Sequence, residues 1–154
     1  MAIGQVLIIY QLEDNTISID INFIITNNRL SMGKRILLVD DDLYIRDVYE
    51  DVLKSEGFDV DTAANGEEGL AKLILGGYDL ILLDVMMPKL DGIGVLEELK
   101  KNTPQQKNGQ IILLTNLGSD PVIKIAKDKG VTSYIVKAEI TPQDLVTTVA
   151  KLVG

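Results

Sequence analysis

The chain has 154 residues, 46% of them hydrophobic and 25% charged, which is ordinary for one globular domain. Because it contains neither cysteine nor histidine, disulfides, thiolate nucleophiles, histidine metal ligands, Ser-His catalysis and an internal histidine phosphodonor are excluded. The formal charge of −8 argues against a direct nucleic-acid partner, and without a signal peptide or an apolar run of ~18 residues we expect a cytoplasmic protein that has no membrane contact.

The first 33 residues differ in pattern from the rest of the chain. Alternating apolar and polar residues predict two strands, Gln5–Leu12 and Thr16–Thr26, around a turn at Glu13-Asp14-Asn15. We interpret residues 1–33 as an N-terminal extension and linker, with residues 1–31 a tail from an upstream start, because chain termini vary freely. The alternative is a functional β-hairpin used for dimerisation or partner binding.

Residues 34–154 alternate strand and helix signals, which predicts a parallel sheet with helical crossovers. We expect an α/β, flavodoxin-like, doubly wound sheet of five strands in the order 2-1-3-4-5, with five helices. The predicted strands are Arg35–Val39, Phe58–Ala63, Leu80–Leu83, Ile111–Leu114 and Ser133–Val136. The predicted helices are one with an apolar stripe at Ile45–Val52, then Asn65–Gly76, Ile93–Lys101, Pro121–Lys129 and Pro142–Val153.

Polar residues follow four of the predicted strands: Asp40-Asp41, Asp84, Thr115 and Lys137. In the order 2-1-3-4-5 these strands are neighbours, so their carboxyl ends meet at one edge of the sheet. Three close carboxylates repel one another and favour a bound cation, and oxygen ligands suit Mg²⁺. The set predicts Mg²⁺-dependent phosphoryl chemistry with an aspartate acceptor, although each residue taken singly also fits an ordinary helix-cap, strand-end or surface position.

Residues 34–154 resemble the response-regulator receiver domain of two-component signalling. The motifs that carry the resemblance are Leu38–Asp42, Asp79–Gly92, Leu114-Thr115 and Tyr134–Lys137. The resemblance implies a stand-alone signalling switch that accepts a phosphoryl group from a sensor histidine kinase or a phosphotransfer protein. It also implies that the chain is not an enzyme, beyond catalysing its own phosphorylation and slow self-dephosphorylation.

The resemblance further implies a role for each acidic residue. Asp84 would be the phospho-acceptor. Asp41 and Asp84 would ligate Mg²⁺ directly together with the backbone carbonyl of Met86, and Asp40 would hold a metal-bound water.

The remaining motif residues would transmit the signal. Thr115 would bond the acquired phosphoryl group, Lys137 would pair with its charge, and Tyr134 would turn inward as Thr115 moves. The fourth helix, fifth strand and fifth helix would then bind a downstream protein or pass the signal on by phosphorelay, in a monomer or a phosphorylation-dependent dimer.

The sequence departs from the usual receiver pattern in three ways. Ala138 stands where a proline, often in a cis bond, usually follows the lysine, so we expect a differently shaped loop. Asn116 follows the threonine in place of a smaller residue. Met86 and Leu117 occupy positions that often carry polar, water-orienting side chains, so we expect slow self-dephosphorylation.

Two alternatives to a working receiver remain open. A haloacid dehalogenase-like phosphohydrolase would use Asp40 and Asp42, but it needs a further acidic pair on a strand after the lysine. Only Glu139 and Asp144 follow, around a helix start. A degenerate receiver acting as a scaffold is the second alternative, suggested by Ala138 and Asn116.

Overall fold

The computed structural model describes residues 7–12, 15–20, 33–116, 120–131 and 133–154. The elements in these ranges are β1 (Leu7–Leu12), β2 (Asn15–Asp20), β3 (Arg35–Val39), α1 (Leu43–Ser55), β4 (Asp59–Ala63), α2 (Gly66–Leu75), β5 (Leu80–Asp84), α3 (Gly92–Lys101), β6 (Gln110–Thr115), α4 (Asp120–Asp128), β7 (Ser133–Val136), a 3₁₀ turn (Lys137–Glu139) and α5 (Pro142–Val153). Within these ranges, no helix has the length and apolar character needed to cross a membrane.

Five parallel strands form one sheet in the order β4-β3-β5-β6-β7. Counted from β3, this is the order 2-1-3-4-5, so the predicted flavodoxin-like doubly wound α/β fold is confirmed. One face of the sheet packs against α2, α3 and α4, and the other face packs against α1 and α5. Because both faces are covered, the central strands are apolar runs without alternation, and the side chains of Ile36–Val39 and Leu80–Leu83 are fully buried.

Four strand boundaries differ from the prediction, one of them because β6 begins at Gln110 and not at Ile111. The strand predicted from Phe58 begins at Asp59, because the Phe58 N–H bonds back to the carbonyl of Leu53 in α1. At the other end of the sheet, β5 extends to Asp84 and β6 extends to Thr115, one residue beyond the prediction. Both residues belong to the strand pairing, Asp84 opposite Leu114 on β6 and Thr115 opposite Val136 on β7.

The segment after β7 forms a single 3₁₀ turn, Lys137–Glu139, that the sequence patterns did not predict. The described residues contain no cis peptide bond, so the Lys137–Ala138 bond is trans. Thr141 then caps α5, and its side chain and that of Asp144 form the reciprocal capping box expected from the sequence.

The C-terminus of α2 is capped by a distant part of the chain. All of its last four carbonyls accept hydrogen bonds, three of them from the segment 105–108, which precedes β6. The four bonds are Gly76 N to Lys72 O (2.9 Å), Asn108 Nδ2 to Leu73 O (2.8 Å), Gln105 N to Ile74 O (2.8 Å) and Gln106 N to Leu75 O (3.1 Å). The loop before β6 is therefore hydrogen-bonded to the end of α2 at the amino-terminal end of the sheet.

The two N-terminal strands form a separate antiparallel sheet. β1 and β2 pair in register from Leu7 opposite Asp20 to Leu12 opposite Asn15. The second strand was predicted to reach Thr26, but positions 21–26 lie outside the described residues.

Candidate functional site

The carboxyl edge of the sheet brings the predicted polar residues together. Asp40 follows β3, Asp84 ends β5, Thr115 ends β6 and Lys137 follows β7. Asp40, Asp84 and Thr115 are the polar or charged residues that are buried within the described part of the chain, at 0%, 2% and 5% exposure. Because burying polar groups is costly unless they are paired, their concentration at one edge indicates a site and not a packing requirement.

Three carboxylates cluster at this edge. Asp40, Asp41 and Asp84 each offer an oxygen, and these oxygens lie within 4.8 Å of one another. Asp41 is exposed, whereas the other two are buried. Asp42 is not part of this cluster, because its side chain caps α1 by accepting a 3.1 Å hydrogen bond from the Ile45 N–H. The Asp40–Asp42 pair required by the phosphohydrolase alternative therefore does not converge on one site.

Lys137 provides the positive charge next to the buried carboxylates. Its Nζ is 2.5 Å from Asp40 Oδ2 and 3.2 Å from Asp84 Oδ2, and its side chain is 7% exposed. Burial alone would lower the pKa of Lys137, but its contacts with Asp40 and then Asp84 outweigh burial and raise the pKa above the ordinary value. The lysine is therefore charged at neutral pH.

The acidity of Asp84 is altered by its environment. Burial raises its pKa to about 6, and the charge of Asp40 adds to this effect. Lys137 and the Met86 N–H, which donates a 3.2 Å hydrogen bond to Asp84 Oδ1, act in the opposite direction. Asp84 is therefore largely ionised at neutral pH and carries a destabilising charge in the absence of a cation.

The donor set fits a divalent cation. Three carboxylates face one ammonium, which leaves excess negative charge at the site. Apart from the Lys137 ammonium beside it, the buried Asp40 Oδ2 has no hydrogen-bond partner among the described residues. Oxygen-only ligands of this kind suit Mg²⁺, and a cation would relieve the repulsion among the carboxylates.

The two predicted switch residues differ in environment. Thr115 is buried at the end of β6, whereas Tyr134 on β7 is 42% exposed. Tyr134 lies over a small apolar cavity between α4 and the sheet, lined also by Leu113, Ile123 and Ala126.

The described positions that depart from the receiver pattern are exposed. Asn116 is exposed directly after Thr115. Met86, two residues after Asp84, is 66% exposed. Leu117 lies outside the described residues.

Sequence reasoning missed one residue in contact with the site. Arg46, in α1, donates a 2.7 Å hydrogen bond from Nη1 to the backbone carbonyl of Asp40. The sequence shows only a basic residue four positions after the helix cap Asp42, and that spacing does not identify the group that its side chain contacts.

Comparisons with known proteins agree with this architecture. Residues 36–150 match the family model for the response regulator receiver domain. The chain is 43% identical over 112 residues to a probable transcriptional regulator, ycf27, of Cyanophora paradoxa, covering 73% of this chain and 45% of that protein. It is 35% identical over 121 residues to the chemotaxis protein CheY of Treponema pallidum, covering 72% of this chain and 82% of that protein.

Solved structures show the same relationship. A CheY-like receiver domain protein from Methanospirillum hungatei superposes with a TM-score of 0.69 at 33% identity, covering 79% of this chain and 94% of that one. The response regulator TrrA from Thermotoga maritima, solved in complex with Mg(2+)-BeF, has a TM-score of 0.62 at 39% identity, covering 77% and 98% of the two chains. The chain thus spans about half the length of the ycf27 regulator and most of the length of the receivers. It belongs to the response regulator receiver domain family of two-component signalling.

Proposed function

We propose that Asp84 accepts a phosphoryl group from a sensor histidine kinase or a phosphotransfer protein in a Mg²⁺-dependent reaction. The single observation that supports this most strongly is the burial of Asp84 at a strand end, within reach of Lys137 and two further carboxylates. The chain would then signal by binding a partner or by phosphorelay. It would not turn over an external substrate, and its catalysis would be limited to its own phosphorylation and slow self-dephosphorylation.

In the proposed reaction, a carboxylate oxygen of Asp84 attacks the phosphorus of the donor in line with the leaving group. An O–P bond forms while the P–N bond of a phosphohistidine breaks, and the imidazole nitrogen keeps the electron pair. Lys137 pairs with the charge of the incoming phosphoryl group, and the Thr115 hydroxyl donates to one of its oxygens. Asp41, Asp84 and the Met86 carbonyl would hold Mg²⁺ directly and Asp40 would hold it through water, so that the bound ion neutralises the phosphoryl oxygens.

The proposed output face combines α4, β7 and α5. Ile125 on α4 and Tyr134 on β7 are large apolar side chains that are partly exposed on this side, at 46% and 42%. Movement of Thr115 toward a phosphoryl group would vacate space for Tyr134, and the altered face would bind a downstream protein. The same face would support a phosphorylation-dependent dimer of an otherwise monomeric chain.

The organisation of the whole chain is part of the proposal. Residues 34–154 form the receiver domain, and residues 1–33 are an extension and linker that the proposed chemistry does not require. Since the proposed donors are kinase or phosphotransfer proteins of two-component pathways, we place the protein in the cytoplasm.

The experiment is intact-protein mass spectrometry after incubation with acetyl phosphate and Mg²⁺. Wild type is expected to gain one phosphoryl group, Asp84→Asn none, and wild type in excess chelator none. Asp47→Asn is the matched control, because Asp47 is an exposed aspartate on α1, and it should gain the group as wild type does. A phosphoryl group retained by Asp84→Asn, or gained equally in chelator, would contradict the proposal.

A further inference from the structure

Arg46 contacts the acidic site through the main chain. Its Nη1 donates a 2.7 Å hydrogen bond to the carbonyl oxygen of Asp40, six residues earlier. The arginine is half-buried at the start of α1, and the bond spans the turn that carries Asp40 and Asp41. The reaction proposed above gives Arg46 no role.

The Asp40 carbonyl lies just beyond the end of the strand pairing. β3 pairs with β4 and β5 only as far as Val39, although the Asp40 N–H still bonds to the Ala63 carbonyl at 3.1 Å. Among the described residues, no backbone N–H donates to the Asp40 carbonyl. The guanidinium therefore replaces a strand partner for a residue that is completely buried, where an unmade hydrogen bond is costly.

This bond fixes the peptide that joins two of the clustered carboxylates. The Asp42 N–H donates to Asp40 Oδ1 at 3.0 Å, so both ends of the turn are held. Because Asp40 and Asp41 are adjacent, rotation of the peptide between them would move both carboxylates relative to Asp84. The 4.8 Å cluster therefore depends on the orientation that Arg46 holds.

We propose that Arg46 is a positioning residue that aligns Asp40 and Asp41 for cation binding. This inference rests on the proposed function and deepens it. A positive charge close to a cation site weakens cation binding by Coulomb repulsion, whereas a group that orients the ligands strengthens it. The direction in which Mg²⁺ affinity changes when Arg46 is replaced therefore distinguishes a residue that orients the ligands from one that only places a positive charge nearby.

The test is calorimetric titration of the full chain with Mg²⁺, without any phosphodonor, for wild type, Arg46→Gln and Arg46→Lys. Arg35→Met is the matched control. It removes an arginine at the opposite end of β3, where the side chain contacts the Gly77 carbonyl and Asp61. The Mg²⁺ concentration that half-saturates phosphorylation of Asp84 by acetyl phosphate is measured in parallel.

Arg46→Gln is expected to weaken Mg²⁺ binding about 10-fold and to raise the half-saturating Mg²⁺ concentration by the same factor, with little change in rate at saturating Mg²⁺. Arg46→Lys keeps a cationic donor without the guanidinium geometry, and its Mg²⁺ affinity is expected to fall roughly 3-fold. Arg35→Met should bind Mg²⁺ as wild type does.

Unchanged or tighter Mg²⁺ binding in folded Arg46→Gln overturns the inference. If that variant does not fold, Arg46→Lys decides alone, and wild-type affinity in it overturns the inference. A wild-type protein that fails to bind Mg²⁺ would contradict the proposed function itself, which separates the two failures.

Discussion

Lys137 lies closer to Asp40 than to Asp84. Its Nζ is 2.5 Å from Asp40 Oδ2 and 3.2 Å from Asp84 Oδ2. One ammonium thus forms ion pairs with two buried carboxylates. Its shorter contact is with Asp40 and not with Asp84, the proposed acceptor. We infer that, in the absence of Mg²⁺ and of phosphorylation, Lys137 mainly balances the negative charge of Asp40.

The first prediction follows from this pairing. In chelator, Lys137→Met should lower the free energy of unfolding by about 3–5 kcal/mol, because it leaves buried carboxylates without a counter-charge. Asp40→Asn combined with Lys137→Met should recover much of this loss, since the amide carries no charge. Urea unfolding of wild type, both single variants and the double variant measures the coupling. Additive effects of the two substitutions would show that the ion pair does not stabilise the fold.

The second prediction concerns pH. Because burial raises the folded-state pKa of Asp84 to about 6, the folded protein binds a proton between about pH 4 and pH 6 that the unfolded chain has released. Wild type should therefore lose stability relative to Asp84→Asn as pH rises through this window, because other carboxyls contribute equally to both proteins. Near pH 4 the two proteins should be alike. By pH 7 in chelator, the variant should be more stable by on the order of 2 kcal/mol.

The measurement is urea unfolding at intervals from pH 4 to pH 7.5, with Asp47→Asn as a control at an exposed aspartate. Lys137 does not interfere, because its raised pKa keeps it charged throughout this range. An advantage of Asp84→Asn that is the same at every pH would contradict the assignment of the elevated pKa to this carboxyl.

The third prediction is that phosphorylated Asp84 decays slowly. Hydrolysis requires a water held in line with the carboxylate, and orienting that nucleophile is a large part of the catalysis. Met86 is exposed at the mouth of the site and its thioether is at best a weak hydrogen-bond acceptor. Met86→Asn should therefore speed the loss of phosphate, and so should Leu117→Glu.

The decay is followed by mass at fixed Mg²⁺ after removal of the phosphodonor. Met86→Leu is the control, because it changes the side chain but not its polarity, and it should decay as wild type does. Fast decay in wild type that neither Met86→Asn nor Leu117→Glu alters would show that water is oriented by another group.

The fourth prediction is that the N-terminal extension is dispensable. β1 and β2 pair with each other and not with the five-stranded sheet, and residues 33–154 contain an apolar core of their own that runs from Ile36 to Val149. A chain beginning at Met32 should therefore unfold cooperatively and phosphorylate at Asp84. An unfolded truncation product, or loss of a dimer that the full chain forms, would show that the extension is structural.

The fold was predictable because its signals are strong and mutually consistent. The central strands are buried on both faces, so they appear as short apolar runs such as Leu80–Leu83, bounded by polar residues and separated by helix signals. The helices between them carry caps whose side chains act as the sequence indicates, Asn65 at the start of α2 and Thr141 at the start of α5. The predicted site residues meet because parallel strands place their carboxyl ends at one edge.

What was missed depends on backbone groups, which leave no mark in the sequence. Asp84 and Thr115 lie inside their strands because main-chain bonds continue past the apolar run, such as that from the Val85 N–H to the Leu114 carbonyl. Arg46 contacts a carbonyl, and any residue at position 40 would present one. The 3₁₀ turn after Lys137 likewise depends on local main-chain geometry and not on a distinctive side chain.

The capping of α2 by the segment 105–108 constrains the amino-terminal end of the sheet more than the carboxyl end. Amide hydrogens of Gln105 and Gln106 are held by the last carbonyls of α2, so they exchange with solvent only when that helix end and the loop open together, as one cooperative unit. At the opposite end of the sheet, the loop after β5 that carries Met86 has no comparable set of hydrogen bonds to the end of a preceding helix among the bonds of the described residues. We therefore expect phosphorylation to move the loops at the carboxyl edge while the amino-terminal end of the sheet stays in place. Hydrogen exchange should be slow and correlated for the end of α2 and the segment 105–108, and fast and independent for the loops at the edge that holds the carboxylates.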